Sequence, residues 1–196
     1  DTISDDAIII GTGGRMEMRN KGIDMFLESM ARLNACEDIN RDVVAFVDVP
    51  AWSGDARADL LERLASEENS WNTPLADPYL THNLNNFNED AIACTIRNIG
   101  LGNYDGKNRV KVIYVPCYLK GNDGVFDMEY YDVLIGNDLN IYPSYYEPWG
   151  YTPLESAAFH IPTITTALAG FGLWVNSVLG REGKLADGVE VVNRND

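Results

Sequence analysis

Basic residues are scarce in this sequence: 15 lysines and arginines stand against 30 aspartates and glutamates, for a net charge of −15. A nucleic-acid or anionic-membrane partner needs a basic footprint, so both are excluded as expectations. Cysteines are few, odd in number and far apart (Cys36, Cys94, Cys117), with no CxxC spacing. A disulfide framework or a zinc motif does not fit, and reduced, buried thiols in a cytoplasmic protein are expected instead. No run approaches the roughly 20 apolar residues of a membrane span. The opening Asp1–Ala7 is acidic and has no apolar core, unlike a secretory leader. The chain lacks an initiator Met and enters the apolar run Ala7–Ile10 almost at once, so we expect a domain of a longer protein.

Apolar periodicity does exist, and it alternates. Ala7–Ile10 reads as a buried strand closed by Gly11-Thr12-Gly13-Gly14, and Ile23, Phe26, Leu27, Met30 and Leu33 recur at helical steps. Val43–Val49 is β-branched and stopped by Pro50; Asp55–Glu68 reads as a helix with Leu60, Leu61 and Leu64 on its apolar side. Asn69–Asn88 is polar, rich in Asn and broken by Pro74 and Pro78, so a loop or insertion is expected. A helix over Glu89–Ile99, a strand over Val110–Val115, a helix over Met128–Gly136 and a strand over Leu139–Tyr142 follow. A helix from Pro153 to about His160 and strands over Thr163–Thr166 and Val189–Val192 complete the reading. Such alternation predicts an α/β fold, a Rossmann-like parallel sheet with helices on both faces, forming one domain over residues 1–196. Ligands of such sheets bind at the carboxyl ends of the strands.

Two loops of that kind carry unusual residues. Gly13–Gly22 concentrates Arg15, Arg19 and Lys21 within seven residues, directly after a strand. Arg15 and Lys21 could face a diphosphate together, although solvated charges offsetting the acidic surface are an equal alternative, and GxGxxG is incomplete. In the second loop, Pro143–Glu155 (PSYYEPWGYTPLE), Thr152-Pro153-Leu154-Glu155 has the form of a capping box. The amides of Leu154 and its neighbours would then open toward an anion, with Gly150 allowing close approach. Glu147 lies between Tyr146 and Pro148-Trp149 with no helix to cap and no adjacent base. A carboxylate in aromatic company costs free energy unless a ligand uses it, and the combination suits a sugar. His160 is read as a helix C-terminal cap and His82 as a solvated loop residue.

PSYYEPWGYTPLE followed by HIPTITTALAGFG (His160–Gly172) resembles the fungal, animal and bacterial glycogen synthases that use UDP-glucose, retaining transferases of the two-Rossmann-domain GT-B architecture. Arg15 with Lys21-Gly22, and Arg109–Ile113, extend the resemblance; it is weakest over Asn69–Asn108. It implies that this chain is the C-terminal, nucleotide-sugar-binding domain, inactive by itself. In the intact enzyme glucose would pass from UDP-glucose, with ADP-glucose the alternative donor, to the non-reducing end of an α-1,4-glucan held by the other domain. Arg15 and Lys21 would neutralise the diphosphate and Glu147 would face the glucose. Glu155 would hold the ribose hydroxyls and Tyr130 would stack on uracil. Gly150, Tyr151, Thr152 and Leu154 would complete the donor site. No metal or other cofactor is implied, since the two bases and the helix start take the place of a divalent ion. The full-length protein could be a homo-oligomer, but sugar-phosphate regulation does not carry over. Two other readings stay open: a binding module without activity, and another GT-B transferase of the sucrose- or trehalose-synthase type, against which Trp149-Gly150-Tyr151 counts.

Overall fold

The computed structural model describes residues 3–66 and 74–194. The first strand, β1, spans Ile8–Gly13, and α1 spans Ile23–Asn34 with Ile23, Phe26, Leu27 and Met30 buried at the expected helical steps. Next come β2 (Val43–Asp48), β3 (Ser53–Ala56), α2 (Ala58–Ala65), β4 (His82–Leu84) and α3 (Ala91–Asn98). They are followed by β5 (Val110–Val115), α4 (Tyr130–Leu134), β6 (Leu139–Ile141) and α5 (Tyr151–Ala158). The chain ends with β7 (Thr163–Thr166), α6 (Gly170–Leu179) and β8 (Val189–Val192).

Six strands form one parallel sheet in the order β5-β2-β1-β6-β7-β8. In β2 five of six residues are buried with no alternation, as in a strand covered on both faces. The chain therefore builds outward from β1 through β2 to β5, then returns to β1 and builds the other way from β6. The order reverses between β1 and β6, and their carboxyl ends open a crevice at that switch point.

A buried polar chain fixes the second half against the first. Asn137 Nδ2 donates to Asn140 Oδ1 at 2.8 Å, and Asn140 Nδ2 donates to Ser156 Oγ at 2.9 Å. Ser156 Oγ in turn lies 2.7 Å from Thr163 Oγ1, which donates to the Ile161 carbonyl at 2.8 Å. Ser156 is in the last turn of α5, so that helix is registered on β6 and β7 by buried hydrogen bonds.

Several sequence expectations change. The helix over Asp55–Glu68 shrinks to α2, because Ser53–Ala56 pairs with β4 in a separate antiparallel ribbon. Its Leu61 and Leu64 are exposed and Leu60 only half-buried, so its apolar side does not face the core. The strand β4 itself lies in the segment expected to be a loop; residues 67–73 of that segment and the end of the expected helix lie outside the described residues. The helix α6 was not expected; its sequence is apolar nearly all round, which hides the period, although Gly180, left-handed at φ 67°, marks its end. Nor are the thiols buried: Cys36 is exposed, and Cys94 and Cys117 are half-buried.

Candidate functional site: a donor pocket at the sheet switch point

The loop after β1 and the loop after β6 are zipped together. Tyr145 N donates to the Asn20 carbonyl at 2.9 Å, and Gly22 packs so closely on Pro143 that a Cβ there would lie 2.0 Å from its carbonyl oxygen. Gly22 also has φ +71°, so only glycine suits the close approach and the backbone conformation together. This contact brings Lys21 onto Glu147 across 126 residues of sequence. Their side chains are 12% and 11% exposed, so the pair is largely withdrawn from water. Glu147 therefore does have a base beside it, contrary to its isolation in sequence. Removing one partner of such a pair leaves an uncompensated charge, typically at a cost of about 3–5 kcal/mol. The Glu147 backbone is held as well, since Gly170 N donates to its carbonyl at 3.1 Å.

Next to this pair is a cavity of about 570 Å3 lined by Gly14, Arg15, Asp48, Cys117, Tyr118, Lys120, Tyr130 and Thr152, among others. Its volume is in the range of small-molecule sites. The Arg15 side chain is 79% exposed and, among the described residues, paired with Glu17 at 3.0 Å, a surface contact weak enough for the guanidinium to turn toward an anion. Lys21 Nζ lies 3.9 Å from where a Cβ on Gly14 would be, so both bases border the same glycine turn. Tyr130 opens α4, and its phenol is pushed up by burial and by the nearby Asp48 charge. Glu155 stands beside the Tyr131 hydroxyl, whose pKa it raises by its charge and by accepting its hydrogen bond.

The capping box is not formed. Helix α5 begins two residues earlier, at Tyr151, with Gly150 (φ 100°) as its N-cap and no side-chain cap; Thr152 lies inside the first turn. The free amides of the helix start are thus those of Gly150, Tyr151 and Thr152, Pro153 having none, and Leu154 falls at the position that closes the first turn. Leu154 packs instead with Trp149 in the apolar cluster around Phe171 and Val175. His160 does terminate α5, through its backbone rather than its side chain: with φ 62° it donates to Ala157 O at 3.0 Å, while Ile161 N donates to Ser156 O at 3.1 Å. His82 is not solvated; it is 2% exposed.

Of the expected residues, Arg15, Tyr130 and Thr152 line the cavity, Lys21 and Glu147 pair at its edge, and Gly150 and Tyr151 form the helix start. Sequence reasoning missed Asp48, at the carboxyl end of β2. It is 8% exposed, its Oδ1 has no hydrogen-bond partner among the described residues, and burial pushes its carboxyl up to about 7. A lone acid in the apolar strand VVAFVD was the available signal. Cys117, Tyr118 and Lys120, contributed by the loop after β5, were also not anticipated as lining residues.

A parallel sheet with this strand order, and a cavity at its switch point, defines a Rossmann-like α/β domain. The solved structure of OtsA in its apo form has the same fold, with a TM-score of 0.52 and 14% identity over 97% of this chain and 33% of that one. The sequence profile described as glycogen synthase matches residues 1–74 and 71–196. The chain belongs to the glycogen synthase family. It is similar to the liver glycogen [starch] synthase of Mus musculus, at 33% identity over 92% of this chain and 32% of the mouse protein. It is also similar to the glycogen [starch] synthase of Neurospora crassa, at 31% identity over 93% of this chain and 33% of that one. The chain thus spans about a third of the length of these relatives. Among the described residues no helix is long and apolar enough to cross a membrane.

Proposed function

We propose that this chain is the C-terminal, donor-binding domain of a glycogen synthase that transfers glucose from UDP-glucose to the non-reducing end of an α-1,4-glucan with retention. The observation that carries the reading is the pairing of Lys21 with Glu147 at the rim of a cavity that also presents Arg15. An arriving diphosphate competes with Glu147 for Lys21. Lys21 and Arg15 then take up the phosphate charge and stabilise UDP as it leaves, helped by the amides of Tyr151 and Thr152. Glu147, released beneath the glucose, stabilises the positive charge that develops at the anomeric carbon. Tyr130 offers the base a ring to stack on, and Glu155 accepts from the ribose hydroxyls. Two bases and a helix start supply the positive charge, so the reading requires no metal on the donor. The acceptor glucan is assigned to a second domain, and the intact protein to the cytoplasm.

In the intact enzyme, assayed with radiolabelled UDP-glucose or ADP-glucose and glycogen, Glu147→Gln and Lys21→Ala should each lower turnover about a hundredfold or more, the scale for one preorganised electrostatic contact. Near wild-type turnover in both variants, with their folded fraction checked by circular dichroism, would sink the assignment. Calorimetry on this chain alone should show weak UDP binding and no transfer. If heat appears with neither UDP nor ADP, a donor role for this cavity is wrong.

A further inference from the structure

A second open cavity, of about 400 Å3, lies on the other side of Cys117 and Tyr118 from the donor pocket, lined also by Asp55, His82 and Asp123. The ligand atoms of His82, Cys117 and Asp123 all lie within 4.8 Å of one another. They come from three separate segments: β4, the loop after β5, and the turn that follows it. No sequence spacing announces them.

Each of the three is prepared in a different way. Thr81 Oγ1 donates to the Tyr114 carbonyl at 3.1 Å, and the same oxygen lies 2.9 Å from His82 Nδ1. The hydroxyl has one hydrogen and two acceptors in reach. When it turns to Nδ1, Nε2–H donates to the Asp123 carbonyl oxygen at 2.9 Å; when it stays on Tyr114, Nδ1–H donates to Thr81 and Nε2 presents its lone pair. A cation on Nε2 selects the second arrangement. A metal-bound histidine is oriented in this way, with its other nitrogen donating to a neighbour. Asp123 is also held: its Oδ1 accepts from Val125 N at 3.0 Å and Phe126 N at 2.9 Å, and its Oδ2 from Asp127 N at 2.9 Å. Oδ1 is thereby filled, and the second lone pair of Oδ2 stays available. The Cys117 thiol makes no hydrogen bond among the described residues and opens on both cavities.

We propose that His82 Nε2, Cys117 Sγ and an Asp123 carboxylate oxygen form a binding site for a borderline divalent cation of the zinc type. Imidazole, thiolate and carboxylate are the ligands zinc takes, at about 2.0–2.3 Å, and ligand atoms already within 4.8 Å close on it with side-chain shifts of about an ångström. The fourth position faces the cavity, where water or the Asp55 carboxylate completes a tetrahedron. On binding, the thiol proton passes to solvent and the sulfur bonds the metal as thiolate. The cation would clip the β3–β4 ribbon to the loop after β5, and so brace the Cys117–Tyr118 wall of the donor pocket. The site is independent of the donor reading: its ligands need neither Lys21 nor Glu147.

The test is titration of Co2+ into the chelator-stripped protein, with a phosphine as the only reductant. One equivalent should produce a near-ultraviolet thiolate-to-cobalt charge-transfer band that Zn2+ bleaches. Cys117→Ser should abolish the band, Asp123→Asn should weaken binding about tenfold or more, and a Cys36→Ser/Cys94→Ser variant should keep it. X-ray absorption of the zinc-loaded wild type requires no variant to fold, and should show one sulfur at about 2.3 Å with the remaining ligands at about 2.0 Å. A wild-type spectrum without a thiolate band, a band that survives Cys117→Ser, or a zinc shell without sulfur would overturn the proposal.

Discussion

Asp48→Asn isolates a buried charge at nearly constant volume. Asp48 ends β2 inside the switch-point cavity, 8% exposed, with Oδ1 unpartnered among the described residues, and burial raises its carboxyl from 3.8 to about 7. The native state therefore holds a proton that the unfolded chain has already lost over the window between those two values. Stability must fall as pH rises through that window: the term is absent below about pH 4 and fully present above about pH 7. Carrying a carboxyl from 3.8 to about 7 corresponds to about 4 kcal/mol, a large share of the 5–15 kcal/mol that hold a domain together. Asparagine has no proton to lose, so the variant escapes the cost. Urea unfolding at pH 5 and pH 8 should show Asp48→Asn gaining on wild type by a few kcal/mol between the two, with unchanged m-values. All other titrating groups are common to both proteins and cancel in the difference. A difference that does not change with pH, or a variant that loses ground at pH 8, would refute the buried-anion account.

Gly22→Ala should cost about 3 kcal/mol or more, because its Cβ meets the Pro143 carbonyl at 2.0 Å and its φ of +71° penalises any side chain. Gly180→Ala is the control, with φ +67° but nothing within 4 Å, and should cost only about 1 kcal/mol in the same calorimetric scan. His160→Gly places the residue best suited to a left-handed helix end at φ 62° and should raise stability by roughly 0.5 kcal/mol; a lower melting temperature would show that the imidazole itself holds the cap.

Most strands and their order along the chain were legible because their signal is local. β5, β7 and β8 fall on the runs Val110–Val115, Thr163–Thr166 and Val189–Val192 read from apolar and β-branched residues. The ribbon of β3 and β4 was not legible, since Ser53–Ala56 and His82–Leu84 are short and polar, and each is a strand only because the other pairs with it. Helix α5 shows how far a local motif reaches. Thr-x-x-Glu at 152–155 has the right letters for a capping box, yet Gly150 adopts a left-handed conformation that starts the helix two residues sooner and leaves Glu155 to Tyr131.

The candidate site divides along the same line. Arg15, Lys21, Glu147 and the helix start could be singled out from sequence because uncommon residue types gather on loops that follow strands. That Lys21 neutralises Glu147 could not be read, because 126 residues separate them and their loops are joined by tertiary contacts, the packing of Gly22 on Pro143 and the Tyr145–Asn20 hydrogen bond. The solitary acid of β2 and the His82–Cys117–Asp123 cluster are likewise products of the fold. Sequence by itself determined which uncommon residues stand on loops that follow strands and the alternation that makes a parallel sheet, since both are properties of neighbours along the chain. Only the tertiary structure decided which of those residues meet and how far water is excluded from them, because charge pairing, desolvation and ligand geometry depend on distances through space.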